Sequence, residues 1–509
     1  MCKKVLLSIL FLCVFSANSY SQSNSPESLI NSGLADIYNL KFDNAVKTFK
    51  EVQRQYPNDI KGYFYESLVY FYSAMGSRSE SEFEKYMNTS EKVIDIADNL
   101  IDDNENNFDA IYYKGQSHSY RSLILLTLNK NLLSAASNGN DGYRILSDVI
   151  KRKPDYYDAY MGLGLYKIFL GLVPEKFKWL LSIIGFDGDI KEGVNLLKTA
   201  AQNGKFTKID SKIALALFTL QEREEKDESM VKTMETICAQ YPESPMFKMM
   251  HAGALQLVGR TEESLPLLED ALRLNKFSMQ NEVNKGANGL LGNVYFKRND
   301  YANAIKYLEE HLKYVHPEDR YNISVYNLAV AYEMSGNREK ALEKYRAVRK
   351  DFINERDGET EKMFYRFAQD RIKNPMNRLD SILTLGLNLR ESNKLSEAVN
   401  FYENVLASDI LDVYKSDDDK ARLYYEAALT YNVNGQADLA QDYFSRIINL
   451  KPKTENWYVP FSYFELGKIY ARKSDWQKAH QMFEKISEFD EFEMKQSLEM
   501  RLKNFREKY

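Results

Sequence analysis

The stretch LGNVYFKRNDYANAIKYLEEHL, residues 291–312, decides the fold. Leu291-Gly292 opens it, Tyr295 follows three residues after the glycine, and Ala304 comes nine after that tyrosine. Asn299-Asp300 between them is turn chemistry, and the apolar positions on either side fall at helical spacing. The stretch therefore reads as the end of one helix, a short turn and a second helix running back.

The same fixtures return along the chain. LAVAYEMSGNREKALEKYRAV carries Tyr332, Ala341 and Tyr345, and LGLNLRESNKLSEAVNFYENV carries Leu389, Ala398 and Tyr402. AALTYNVNGQADLAQDYFSRIINLKP has Tyr431, Ala440, Phe444 and a closing Pro452. LGKIYARKSDWQKAHQMFEKI has Tyr470, Ala479 and Phe483, and SGLADIYNLKFDNAVKTFKEVQRQYP has Gly33, Ala45, Phe49 and Pro57. HAGALQLVGRTEESLPLLEDALRL keeps the apolar spacing with Ser264 at the alanine point.

Each fixture has a physical task. A small residue in the first helix, helix A (Gly33, Gly292, Ala329, Gly386, Ala428, Gly467), lets a neighbouring helix approach closely. The alanine of helix B does the same from the other side. An aromatic four residues later lies on the same helical face and is expected to fill the gap between units. Proline after helix B stops it. One pair cannot bury its apolar faces alone, so the pairs must stack.

These residues resemble the tetratricopeptide repeat in 26–59, 285–318, 322–355, 379–412, 421–454 and 460–493. The pattern is degenerate in 245–278, and in 60–242 only helical periodicity supports it. Asp36 and Leu389 stand where the family usually has tyrosine. The resemblance implies an all-α fold, a right-handed α-solenoid of stacked antiparallel helix pairs.

Residues 172–200, LVPEKFKWLLSIIGFDGDIKEGVNLLKTA, are similar to a segment of the eukaryotic tetratricopeptide proteins linked to inclusion-body clearance. The match rests on Pro174, the Lys178-Trp179-Leu180-Leu181 run and Gly185-Phe186-Asp187-Gly188-Asp189 before a helix. It implies a hairpin inserted between helices A and B of one unit. A calcium loop starting at Asp187 would need a glutamate at its twelfth position, where Lys198 stands, so a turn with a helix N-cap at Asp189 is the reading.

The expected organisation is a signal peptide in 1–21, helix pairs in 22–105, irregular helical repeats with the inserted hairpin in 106–244, repeats in 245–372, and repeats with a terminal helix in 373–509. Lys3 and Lys4 precede an apolar run from Val5 to Ala17, too short to span a bilayer comfortably, and Ser19 and Ser21 suit cleavage before Gln22. Cys13 lies inside the apolar run, which argues against lipidation. The expected destination is the periplasm, with peripheral association with the outer membrane as a further option. Cleavage leaves Cys238 alone, so stability must come from packing rather than disulfides. The most apolar later stretch, 162–186, carries Lys167, Glu175, Lys176 and Lys178 and is broken by Pro174, which argues for buried helices instead of a membrane span.

Catalytic signals are lacking. The five histidines form no metal-ligand spacing, and no HExxH, CxxC, GxxxxGK[ST] or GxSxG string occurs. A net charge of −5, mixed in sign along the chain, argues against a nucleic-acid binder. No cofactor, no metal and no enzymatic activity are expected.

What remains is a surface. In this family A helices line the concave side, and the residue two before each small pair should face it: Tyr326, Leu383, Tyr425 and Phe464. With Asn293 and Asn327 nearby, these rings could hold an extended peptide, the amides meeting its backbone. Their alternative role is packing on the next unit. Gly289 and Thr384 stand where relatives that grip a C-terminal carboxylate carry a lysine and an arginine, so no such clamp is expected. The leading reading is an exported, non-catalytic scaffold or adaptor for a protein or peptide partner. The alternative is a glycan- or nutrient-binding envelope protein.

Overall fold

The computed structural model describes residues 25–172, 188–222, 228–316, 319, 321–352 and 358–508, and every regular element among them is a helix. The expected signal peptide, Gln22 and most of the expected hairpin (173–187) lie outside the described residues. The solenoid of antiparallel helix pairs is present as expected, and the opening stretch forms Gln280–Lys297 followed by Tyr301–Leu312.

The turn between paired helices is the same device each time. Residues in the left-handed region recur there: Leu40, Asn299, Gly336, Asn393, Gly435 and Ser474. The next residue's N–H then reaches back to the carbonyl five positions earlier. Asp300 N donates to Tyr295 O at 2.9 Å, Asn337 N to Tyr332 O at 2.9 Å and Asp475 N to Tyr470 O at 2.9 Å. Lys41 N to Asp36 O and Lys394 N to Leu389 O repeat the bond where the tyrosine is missing. This six-to-one bond closes the end of helix A and turns the chain back. Because the bond uses a main-chain carbonyl, Asp36 and Leu389 serve as well as tyrosine. The second helix is then capped by a side chain in several pairs: Asp300, Asn337 and Asp475 each accept from the N–H three residues on.

The small-residue positions show why the helices fit. A β-carbon added at Gly33 would stand 2.4 Å from the Phe49 ring, one at Gly386 2.4 Å from Tyr402 and one at Gly467 2.3 Å from Phe483. The aromatic of helix B therefore lies over the glycine of its own unit. This corrects the expectation that it fills the space between units, although Phe49 also stacks on Tyr65 of the following pair, at 5.7 Å between ring centroids. Phe49, Tyr402 and Phe444 are fully buried, each contributing on the order of 2 kcal/mol by apolar burial.

In the middle segment, Ala159–Gly171 packs on Ile190–Asn203. A β-carbon at Gly164 would stand 2.8 Å from the Gly193 carbonyl oxygen, and one at Gly193 2.7 Å from that of Gly164. Facing glycines bring these two backbones together as an A–B pair, with the expected hairpin between them in sequence. Asp189 caps the second helix by accepting from Glu192 N at 2.9 Å, as expected.

The chain divides into two compact units. The first comprises Met1–Arg223, Lys232–Phe247 and Lys276–Met279; the second comprises Glu224–Val231, Lys248–Asn275 and Gln280–Tyr509. Cys238 is half-buried in Glu228–Gln240, as its sequence setting suggested. No helix among the described residues is long and apolar enough to cross a membrane.

Candidate functional site

In the first unit, tyrosines from two A helices meet at one buried carboxylate. Tyr38 and Tyr72 both donate to the Asp210 carboxylate, at 2.9 and 3.2 Å, which ties Pro26–Tyr38 and Lys61–Ser77 to Lys208–Glu222. Around them Phe64 meets Tyr113 at 4.8 Å, Phe71 meets Tyr120 at 4.8 Å and Tyr65 meets Phe206 at 5.8 Å. Burial pushes the Asp210 carboxyl up to about 6, against the two tyrosine hydrogen bonds that favour its ionised form; the nearby Asp158 charge adds to the rise. Asp158 is held differently. Its Oδ1 accepts from the N–H groups of Lys205, Phe206 and Thr207 and from the Thr207 hydroxyl, at 2.8–3.0 Å, fixing the loop before Lys208–Glu222. The interior of this unit is a packed core.

The second unit places the sequence-derived residues as follows. Asn293 is exposed and Asn327 half-buried. Tyr326, half-buried on Tyr321–Met334, meets Tyr345 at 5.7 Å and, on Gly358–Lys373, Phe364 at 5.2 Å and Phe367 at 6.1 Å. Burial raises its hydroxyl to about 12, with Arg371 opposing. Tyr425 is buried against Phe444, Trp457 and Tyr458, at 5.7, 5.7 and 5.1 Å. Phe464 has no exposed surface and lies 6.1 Å from Phe483 and 6.4 Å from Phe505. For these three rings the contacts describe packing, the alternative role given to them above.

Gly289, at the position a carboxylate clamp would need, makes room for His311. A β-carbon there would stand 2.8 Å from His311 Nδ1, and that ring bonds Lys285 O at 2.7 Å and Ser324 Oγ at 3.0 Å.

One helical turn before the sequence-derived positions runs a polar track that the spacing argument missed. Asp380 accepts from Arg371 and Arg422 at 2.6 Å each. Burial works against its charge, but the Arg371 hydrogen bond and the two guanidinium charges outweigh it and hold the carboxyl below its usual range. Arg366 pairs with Glu493 at 2.6 Å and Glu455 at 3.4 Å. Asp380 precedes Leu383, and Arg422 precedes Tyr425, by three residues, so each shares a helix face with the position chosen from sequence. A charged residue at the same offset in two successive repeats, Asp380 and Arg422, is the signal that could have found them. Among the described residues no group of His, Cys, Asp and Glu is arranged to hold a metal ion.

Three family models match this chain. A tetratricopeptide-repeat model matches residues 27–59, and another matches 421–454. The chain carries tetratricopeptide repeats. A third model, Iml2/Tetratricopeptide repeat protein 39, matches residues 158–350 and includes the whole segment, 172–200, whose resemblance was drawn from Pro174 to Asp189. No curated protein matches the chain. Solved structures similar to it include yeast Tom70, at 12% identity and TM-score 0.30 over 90% of this chain and 98% of that one. The quorum sensor NprR of B. thuringiensis gives 13%, TM-score 0.31, 91% and 97%. The Cut9-Hcn1 hetero-tetramer of the APC/C gives 14%, TM-score 0.30, 94% and 97%. At these identities and scores nothing about the partners of this chain follows. The tetratricopeptide repeats themselves support an interaction scaffold.

Proposed function

We propose that this chain is an exported, non-catalytic scaffold that binds a protein partner on the A-helix face of its second unit. The observation that carries the reading is the contrast between the units. In the first, Tyr38 and Tyr72 meet at buried Asp210; in the second, the A helices carry exposed Asn293 and half-buried Asn327, and half-buried Arg366, Arg371 and Arg422 bring ion pairs close to them. Polar groups held on rigid helices favour recognition with little reorganisation. Export rests on Lys3, Lys4 and the apolar run from Val5 to Ala17, with the envelope as destination.

Fractionation of cells making the intact chain tests both halves. A species beginning at Gln22 should appear in the envelope fraction and migrate on a native gel as a complex larger than the purified chain. A species retaining residues 1–21 in the cytosol contradicts export, and an envelope species that migrates like the purified chain contradicts a stable partner.

A further inference from the structure

The helix Lys495–Lys508 packs on the repeat that precedes it. Its apolar contacts come from one stripe, Leu498, Leu502 and Phe505, at positions i, i+4 and i+7. Leu498 has no exposed surface and Leu502 is 9% exposed. Phe505 meets Phe483 at 5.4 Å and Phe464 at 6.4 Å, so it covers the ring that the spacing argument assigned to the binding face. The intervening residues Glu499, Met500, Arg501, Lys503 and Asn504 are exposed. Two polar contacts extend the docking to a helix far upstream. Glu493 pairs with Arg366 at 2.6 Å, and the Glu359 carboxylate accepts from Gln496 N at 3.2 Å and Ser497 N at 3.1 Å, meeting the helix N-terminus.

A terminal cap needs only to cover the apolar side of the last pair with a polar outer face. This helix also reaches Gly358–Lys373, well over a hundred residues earlier in the chain. Its three anchors and acidic lead-in follow the pattern by which an amphipathic helix lies in a groove of another protein. A helix of this length is only marginally stable in water by itself, so its order depends on the surface that holds it.

We infer that Arg366, Glu359, Phe464 and Phe483 form a helix-binding site whose resting occupant is the chain's own 493–508, and that the partner inserts an amphipathic helix of the same chemistry in its place. That helix carries an acidic residue about five positions ahead of apolar anchors at i, i+4 and i+7. The inference rests on the protein-binding reading above and deepens it. A partner must outcompete a tethered segment, so its apparent affinity is reduced by the fraction of time the site is filled.

The test uses the full chain and a fluorescent synthetic peptide of residues 489–509. Glu493→Arg places like charges together and loosens the tethered helix without touching the apolar anchors. The expected result is that the peptide binds the Glu493→Arg chain about tenfold more tightly than the natural chain. Adding Arg366→Glu re-forms the ion pair in reverse within the tethered segment, so the gain in peptide binding should be lost in that double variant. Hydrogen exchange on the natural chain gives a second measurement that needs no variant. Amides of 495–508 should exchange by local opening, well ahead of those in Tyr458–Arg472. Exchange of both helices only through one common unfolding event, or equal peptide binding by natural and Glu493→Arg chains, overturns the inference. Either failure leaves the protein-binding reading open, because a partner found elsewhere on the face would still satisfy it.

Discussion

Phe483 lies across Gly467, so close that a β-carbon on the glycine would stand 2.3 Å from the ring. The contact joins helix A to helix B within one repeat and leaves Phe483 only 3% exposed. Gly467→Ala should therefore destabilise the second unit by about 1–3 kcal/mol, through overpacking, despite the better helix propensity of alanine. Urea denaturation of Gly467→Ala beside Gly467→Ala/Phe483→Leu measures it, and the double variant should recover part of the loss. Equal stability of Gly467→Ala and the natural chain would mean the helices separate freely at this point.

Asp210 makes the first unit sensitive to pH. Its folded carboxyl is raised to about 6, above the roughly 3.9 of an unfolded aspartate, so the folded state holds the proton longer. Stability should be greatest below about pH 4 as far as this group is concerned, and should fall as pH rises from about 4 to 6. Asp210→Asn removes that slope and should stabilise the unit at pH 7 by on the order of 1–3 kcal/mol. Thermal melts between pH 4.5 and 7.5 read it directly; a variant with the same pH dependence as the natural chain would show that Asp210 does not titrate in this range.

Asp158 and Asp418 are bolts of one design. Asp418 takes the N–H groups of Lys453, Thr454 and Glu455 and the Thr454 hydroxyl, at 2.8–3.0 Å, just as Asp158 takes those of Lys205, Phe206 and Thr207. Asp158→Ala strands the N–H groups of Phe206 and Thr207 in the interior and should cost about 2–5 kcal/mol in denaturant titration. Burial opposes the Asp418 charge, but its backbone donors prevail and hold the carboxyl down at about 2. Its contribution is thus complete above about pH 4 and is lost as pH falls through about 2. A cost for Asp158→Ala below 0.5 kcal/mol would show that the loop is held by other contacts.

Ser474 occupies the left-handed position of its turn, at φ 61°, where other turns place Gly336 and Gly435. It is exposed, so the hydroxymethyl group gains little by staying. Ser474→Gly should raise stability by about 0.5–1 kcal/mol, seen as a higher urea midpoint at unchanged slope. A lower midpoint would mean that backbone entropy in the unfolded chain outweighs the strain.

The repeat was legible because its fixtures are local. Gly292, Tyr295 and Ala304 sit within one helix–turn–helix, and each reports on a contact made a few residues away. The turn at Asn299-Asp300 could be placed from spacing and residue type alone. What spacing cannot report is contact between distant turns of the array. Tyr38 meets Asp210 across 172 positions, and Phe464 meets Phe505 of the terminal helix. Both depend on how far the stack winds. The exposure of the candidate rings was not legible for a related reason. The positions of Tyr425 and Phe464 follow from register, but whether those rings stay open depends on Trp457 and Phe505, which the repeat pattern does not contain. Asp380 and Arg422, three residues upstream, lie on the same face and carry the charge.

The most direct test of the scaffold reading is site-specific photo-cross-linking in native cells, with benzoylphenylalanine in place of Asn327 on the A-helix face. The same probe at exposed Glu339, on the B helix of that repeat, serves as the control. We expect one discrete protein adduct from position 327 and none from 339. Adducts of equal yield from both positions, or none from either, would contradict a binding face on the A helices.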